Sequence, residues 1–150
     1  MKLKTKIIAG LVFAIIIIQF FRIDKTNPNT DPSNDLLAMH EASIEVSEIL
    51  KNACYDCHSN KTEYPWYSNV APVSWWLKDH VDHARGHLNF SDWGTYDLKK
   101  KKHKLEEVYE EVEEGEMPLD SYTWVHEEAE LTAEQRELLI AWAKKTRSEL

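Results

Sequence analysis

Apolar and polar residues divide the chain into an apolar N-terminal run, a short polar stretch and a longer region of helical periodicity. The run Ile7–Phe21 contains one polar side chain, Gln19, and follows three lysines. At 1.5 Å per residue, the stretch from Ile7 to Ile23 would span roughly 25 Å as a helix. Because no small-residue cleavage site follows, residues 1–25 predict an uncleaved signal anchor or transmembrane helix. The alternative is a signal peptide that is removed on export.

The remaining chain predicts a tether and one helical domain. Residues 26–35 are polar, contain two prolines and predict a flexible tether. Residues 36–150 show helical periodicity and no alternating strand pattern of useful length. The expected helices run from about Asp35 into the segment before Cys54, over Val73–His87, over about Tyr96–Glu114, and from Thr132 onward. The sequence therefore predicts an all-α domain of about four helices behind the N-terminal helix.

Local signals mark the ends of these helices. Pro72 suits the first turn of the second helix, where its missing N–H is not needed. Gly115 suits the position just after the third helix, where the backbone commonly becomes left-handed. Thr132 and Gln135 have the spacing of a capping box at the start of the fourth helix.

Both cysteines of the chain lie in one motif, Cys54-Tyr55-Asp56-Cys57-His58. A C-x-x-C-H run is typical of a c-type haem attachment site. In that chemistry the two thiols bond to the vinyl groups of the haem, and the adjacent imidazole ligates the iron. The motif therefore predicts Cys54 and Cys57 as attachment residues and His58 as the proximal axial ligand.

Three other functions use similar residues. A redox dithiol is typical of a βαβ context, which the helical pattern lacks. A zinc site needs two more ligands, and His83 with His87, four residues apart, keep that alternative open. A disulfide between Cys54 and Cys57 would close so small a loop that it would stabilise the fold little.

Two residues are candidates for the second axial position of the iron. Met117 lies in a Met-Pro loop between the third and fourth helices and is the one methionine after the motif. A methionine thioether is a common partner of histidine in cytochromes c. His80, on the apolar face of the second helix, is the alternative ligand. The order of motif, two helices, Met-Pro loop and final amphipathic helix is similar to that of small cytochromes c.

Charge and aromatic content refine the picture. Removing the five basic residues and one acidic residue of 1–25 from the totals of 18 and 26 leaves 13 and 25, a net charge of −12. A field of that sign disfavours nucleic acid and favours a partner with a basic docking face. Most of the aromatic side chains are expected in the core or as walls around a haem; they include Trp66, Tyr67, Trp75, Trp76, Trp93, Trp124 and Trp142.

Several stretches together carry a resemblance to a known family. They are Cys54–Asn60, Tyr64–Ser68, Pro72–Trp75, Leu88–Trp93 and Met117-Pro118, with His126 downstream. In combination they resemble the bacterial haem-binding domain family over about residues 35–145. The resemblance implies a cytochrome-c-like domain with a single haem behind a signal or anchor segment. It implies no settled physiological role.

Two functions follow from these expectations. The first is a carrier of single electrons with one covalent haem c, anchored in the bacterial inner membrane, with its haem domain in the periplasm and a redox protein as partner. The second is a haem-based sensor or peroxidase-like module with an open or exchangeable sixth ligand, for which His80 or His87 would supply acid–base help. Because the sequence has no further catalytic constellation, it favours the carrier over an enzyme.

Overall fold

The computed structural model describes residues 2–150, and these residues contain helices and irregular segments but no strand. Helices α1 to α8 span Leu3–Ile18, Leu36–Met39, Ile44–Ala53, Tyr55–His58, Val73–His87, Leu98–Glu114, Asp120–Thr123 and Ala133–Glu149. Short 3-10 helices lie between them at Pro32–Asn34, Trp66–Asn69, Phe90–Thr95 and Glu127–Ala129. The predicted all-α class is therefore confirmed.

Three of the long helices form where periodicity and capping signals predict them. Helix α5 has the predicted bounds. Helix α6 begins after Asp97, whose side chain accepts a hydrogen bond from Lys100 N at 2.7 Å. Helix α8 begins after Thr132, and both hydrogen bonds of the capping box with Gln135 are present. These caps satisfy backbone N–H groups that have no partner inside the helix.

The expected continuous helix from Asp35 into the cysteine motif is wrong. The segment is divided into α2, α3 and α4 because each of the first two helices begins at its own N-cap. Asp35 accepts a hydrogen bond from Leu37 N, and Ser43 accepts one from Val46 N. Between these helices the chain is extended, and His40 Nε2 there accepts a hydrogen bond from Trp93 Nε1 at 2.9 Å.

One apolar core joins α6 and α8 to the segments around the cysteine motif. Helix α6 packs along α8, and α3 packs against both α8 and α4. The fully buried side chains of this core include Leu36, Leu50, Trp93, Leu105 and Leu139. Each contributes about 1.5–3 kcal/mol through removal of apolar surface from water, which makes this core the rigid support of the motif.

The expectation that most of these aromatic side chains lie in the protein core is wrong for four of the six tryptophans. Trp93 and Trp142 lie in the core. The other four are exposed, at 39–80 %, and they are Trp66, Trp75, Trp76 and Trp124. Trp66 and Trp124 lie in short turns, and Trp75 and Trp76 lie on α5 outside the apolar core.

The segment expected to be a flexible tether forms hydrogen bonds with the helical domain. Asn27 donates a hydrogen bond to Thr62 O and accepts one from Arg85. At the other end of the segment, Asp35 is buried and its carboxylate accepts hydrogen bonds from Tyr55 and Lys61. Asn27 and Asp35 thus both have hydrogen-bond partners in the helical domain.

The N-terminal helix is shorter than the apolar run predicts. Helix α1 has 16 residues and ends at Ile18, and the side chain of Gln19, its C-cap residue, exchanges two hydrogen bonds with the backbone of Ala71 at 3.0 Å. Within residues 2–150, no helix is both long and apolar enough to cross a membrane. The predicted transmembrane helix is therefore not supported.

Candidate functional site

The cysteine motif forms one helical turn after a break in the helix. Helix α3 ends at Ala53, and Cys54 stands between it and α4. The backbone N–H groups of Cys57 and His58 both donate to Cys54 O, at 3.2 and 2.8 Å. This turn brings Cys57 and His58 to the wall of one cleft.

The cleft has a volume of about 890 Å³ and is open to solvent. Its walls are the motif turn, one face of α5, and the segment from Met117 to Tyr122. This volume lies within the range of about 300–1,000 Å³ that is typical of cofactor and ligand sites. The cleft therefore brings together four of the site residues predicted from the sequence, Cys57, His58, Met117 and His80.

His58 is held in the tautomer that leaves one nitrogen available to a metal. Its Nδ1 lies 3.1 Å from Leu88 O, and because a carbonyl oxygen can only accept, Nδ1 carries the proton. Burial lowers the pKa of His58, so the ring is neutral at pH 7. A neutral imidazole whose Nδ1–H is engaged has its Nε2 lone pair free for a metal ion.

A buried hydrogen-bond network fixes the loop that supplies this carbonyl. Asn89 follows Leu88, and its side chain donates to Asn60 Oδ1 at 2.9 Å and accepts from Ser91 N at 3.0 Å. Ser91 Oγ in turn accepts from Asn60 N at 3.1 Å. The residues just after His58 and the residues just after Leu88 are thus bonded to one another.

Arg85 ties α5 to the same region. Its Nε donates to Ser59 O, and one of its terminal nitrogens donates to Thr62 Oγ1 and Asn27 Oδ1, all at 2.7 Å. A planar guanidinium suits this arrangement because its donors are fixed in a fork. Arg85 therefore holds the α5 wall of the cleft against the turn that carries His58.

Both cysteine thiols are free and have raised pKa values. Burial, with a smaller contribution from Cys57, raises the pKa of Cys54 to about 12. Burial and the charge of Asp56 raise the pKa of Cys57 to about 11. A reactive redox dithiol requires a lowered pKa, so these environments argue against that alternative. Cys57 lines the cleft, whereas Cys54 packs against the core beside it.

Met117 is positioned by the end of α6. Gly115 adopts a left-handed conformation with φ of 80°, and Glu116 N donates to Glu111 O at 2.9 Å, as in a Schellman motif. Met117 N donates to the same carbonyl at 3.1 Å. The Met117 side chain is partly buried against the core and lines the cleft.

His80 also lines the cleft, from α5. Its Nδ1 donates to Trp76 O at 2.9 Å, and its ring lies 4.2 Å from the Trp76 ring. The Nε2 atom of His80 is thus also free to act as a ligand. Both sequence candidates for the second axial position therefore reach the site.

The zinc alternative receives no support from the side-chain arrangement. Within the described part of the chain, no group of three or more His, Cys, Asp or Glu side chains is arranged to hold a metal ion. His83 Nδ1 bonds to Asp79 O in its own helix, and His87 Nε2 lies 3.3 Å from Glu107. Neither histidine forms a cluster with the cysteines.

Sequence reasoning missed the residues that support the ligands. The Leu88 carbonyl, Arg85 and the Asp56–Tyr122 hydrogen bond all join segments far apart in the chain. Such contacts have no periodicity or spacing of their own. The Leu88–Trp93 stretch was identified through the family resemblance, and its contacts with Asn60 and His58 give the physical reason for its presence.

Comparison with known proteins identifies the family of the chain. The family model described as the haem-binding domain matches residues 13–145. The chain therefore belongs to the haem-binding domain family, which confirms the resemblance and identifies haem as its cofactor. No match was found among curated proteins or among solved structures.

The residues of the cleft fit a haem group. They offer a neutral imidazole with a free Nε2, a thioether, and one thiol on the wall with the second nearby. Ala53, Ala84, Pro118 and Leu119 supply apolar surface for a flat apolar ring. His58, Met117, Cys54 and Cys57 are the residues that would hold the group.

Proposed function

We propose that this protein covalently binds one c-type haem and transfers single electrons. In this proposal Cys54 and Cys57 form the two thioether bonds, His58 is the proximal ligand and Met117 is the distal ligand. The observation that carries the proposal is the hydrogen bond between His58 Nδ1 and Leu88 O. It leaves Nε2 of the imidazole available for a metal ion in a cleft that Met117 also lines, and this supports the proposal.

The chain supplies binding and orientation, and the haem supplies the redox chemistry. When bound, the haem contributes an iron that takes up and releases one electron. The Leu88 carbonyl holds the His58 ring in one orientation and increases the donor strength of Nε2. A Met117 thioether favours ferrous iron and raises the reduction potential relative to a second imidazole. Because the cleft is open to solvent, a haem bound in it would be accessible to a redox partner.

A spectrum of the haem-loaded protein tests the ligand assignment. We expect a methionine–iron charge-transfer band in the oxidised protein, and its loss in Met117→Ala. His80→Ala is the matched control, because this side chain lies in the same cleft and should leave the band intact. A band that persists in Met117→Ala, or the absence of the band from the oxidised wild-type protein, would reject Met117 as the ligand.

A sensor or peroxidase-like module is the second candidate function, and the free Nε2 of His80 favours it. In that role the sixth position is open or exchangeable, and His80 provides acid–base help to a bound small ligand. Rapid binding of carbon monoxide by the ferrous wild-type protein would support this candidate. Slow binding, limited by release of Met117, would support the carrier.

We also propose that the domain works on the periplasmic side of the inner membrane, where thioether attachment of haem takes place. The basic residues before the exposed apolar side chains of α1 support attachment to that membrane. The net charge of −12 after Lys25 supports a redox partner with a basic docking face. Cell fractionation tests the location: recovery in the periplasmic soluble fraction with an N-terminus near Lys25 would indicate a cleaved signal peptide instead.

A further inference from the structure

Asp56 connects the cysteine motif to the segment that carries Met117. It is the residue just before Cys57, and its Oδ2 accepts a hydrogen bond from Tyr122 Oη at 2.8 Å. Its Oδ1 accepts from Glu63 N at 2.8 Å. The carboxylate therefore has one oxygen fixed by its own loop and the other directed to Tyr122, which lies on the cleft wall.

Tyr122 is rigidly joined to the residues that follow Met117. Its backbone N–H donates to Leu119 O at 2.9 Å, and Thr123 N donates to the same oxygen at 3.1 Å. This single turn, α7, makes Leu119 and Tyr122 one unit. Holding the Tyr122 hydroxyl thus holds the chain two residues after Met117.

Met117 is therefore fixed from both directions. Before it, the end of α6 is closed by the hydrogen bonds of Glu116 N and Met117 N to Glu111 O. After it, the Tyr122–Asp56 hydrogen bond attaches the segment to the turn that carries His58. Only Pro118 separates Met117 from the unit formed by α7.

The surroundings of Tyr122 strengthen this second attachment. Its ring stacks on His126 with centroids 4.2 Å apart and an angle of 16° between the planes. His126 donates through Nδ1 to Glu128, and its Nε2 is hydrogen-bonded to the Tyr67 hydroxyl at 2.9 Å. Burial and the hydrogen bond to Asp56 raise the pKa of Tyr122, so its hydroxyl remains a donor throughout the neutral range.

We infer that Tyr122 and Asp56 are positioning residues for the sixth ligand, and that their hydrogen bond decides how often Met117 leaves the iron. This inference rests on the proposed function, because it takes Met117 as the distal ligand. This bond directly joins the turn that carries His58 to the segment of residues 117–123. Its loss allows the 117–123 segment to move away while the rest of the fold stays in place.

Tyr122→Phe tests the inference, because phenylalanine keeps the ring stack on His126 and removes only the hydroxyl. We expect carbon monoxide to bind the ferrous variant roughly tenfold faster, the low end of what one hydrogen bond to a charged group contributes. We also expect faster amide hydrogen exchange at residues 117–125 of the haem-loaded protein. Tyr109→Phe is the matched control: it loses a hydrogen bond to Glu106 on α6, away from the cleft, and should change neither measurement.

Unchanged carbon monoxide binding and exchange in Tyr122→Phe would overturn the inference, as would equal changes in Tyr109→Phe. If Tyr122→Phe does not accumulate with haem, Asp56→Asn weakens the same bond and is measured in the same two ways. A wild-type protein without a methionine–iron band would refute the proposed ligand instead. In that case the exchange rates at 117–125 still report whether Tyr122 holds this segment.

Discussion

Replacing Asn89 with alanine is expected to destabilise the haem-loaded protein by about 3 kcal/mol. Asn89 is 6 % exposed, and its side chain bonds to Asn60 Oδ1, Asp92 Oδ2 and Ser91 N at 2.8–3.0 Å. Alanine leaves the Asn60 amide oxygen and the Ser91 N–H without these partners, in residues that are 7 % and 0 % exposed. Each buried polar group without a partner costs about 1–3 kcal/mol.

Urea and thermal unfolding followed by circular dichroism measure this loss. A change of about 3 kcal/mol corresponds to a decrease in Tm of roughly 10 °C for a domain of this size. Asn69→Ala is the matched control, because Asn69 is exposed and its side chain donates to Trp66 O within a surface turn. We expect Asn69→Ala to lower the free energy of unfolding by less than about 1 kcal/mol. Equal midpoints for wild type and Asn89→Ala, or equal losses in the two variants, would refute the reasoning.

Two further changes test the supports of the site. Gly115→Ala should destabilise the folded protein by roughly 1–2 kcal/mol, because the φ of 80° strains any residue with a Cβ. It should also weaken the methionine–iron band. Gly10→Ala is the control: Gly10 has open space around it, so this change should neither destabilise the protein nor weaken the band. Stability should also decrease as pH falls below 6.5. Burial and the charge of Lys101 lower the pKa of His40 in the folded state, so the unfolded chain binds more protons in that range. Urea midpoints at pH 7.5 and 5.5 should differ less in His40→Gln, and an unchanged difference would exclude His40 as the cause.

Local patterns predicted much of the fold. Helices α5, α6 and α8 carry strong periodicity and their own start or stop residues, and they form at the predicted places. The apolar spacing before Cys54 predicts one continuous helix, but the segment forms two, α2 and α3. Two N-caps and the contact between His40 and Trp93 break it instead. Just after α1, the side chain of Gln19 bonds to Ala71, which lies 52 residues away in the chain and could not be paired with it from local pattern.

Residues that line the candidate site could be predicted, whereas the contacts that orient them could not. The C-x-x-C-H spacing and the Met-Pro loop are local signals, and His58, Met117 and His80 do line one cleft. Their orientation depends on long-range contacts, such as Leu88 with His58 and Tyr122 with Asp56. A single sequence contains the residues of such pairs without indicating which ones meet.

The most direct test of the proposed covalent haem is mass spectrometry of the denatured protein. The protein is first purified from cells that export it and supply haem. We expect the mass of the chain plus one haem, and haem that stays with the protein during acid–acetone extraction. The Cys54→Ala, Cys57→Ala double variant should lose this added mass and release any haem it binds. Wild-type protein with the mass of the chain alone, or haem that is fully extracted from it, would contradict attachment through these two cysteines.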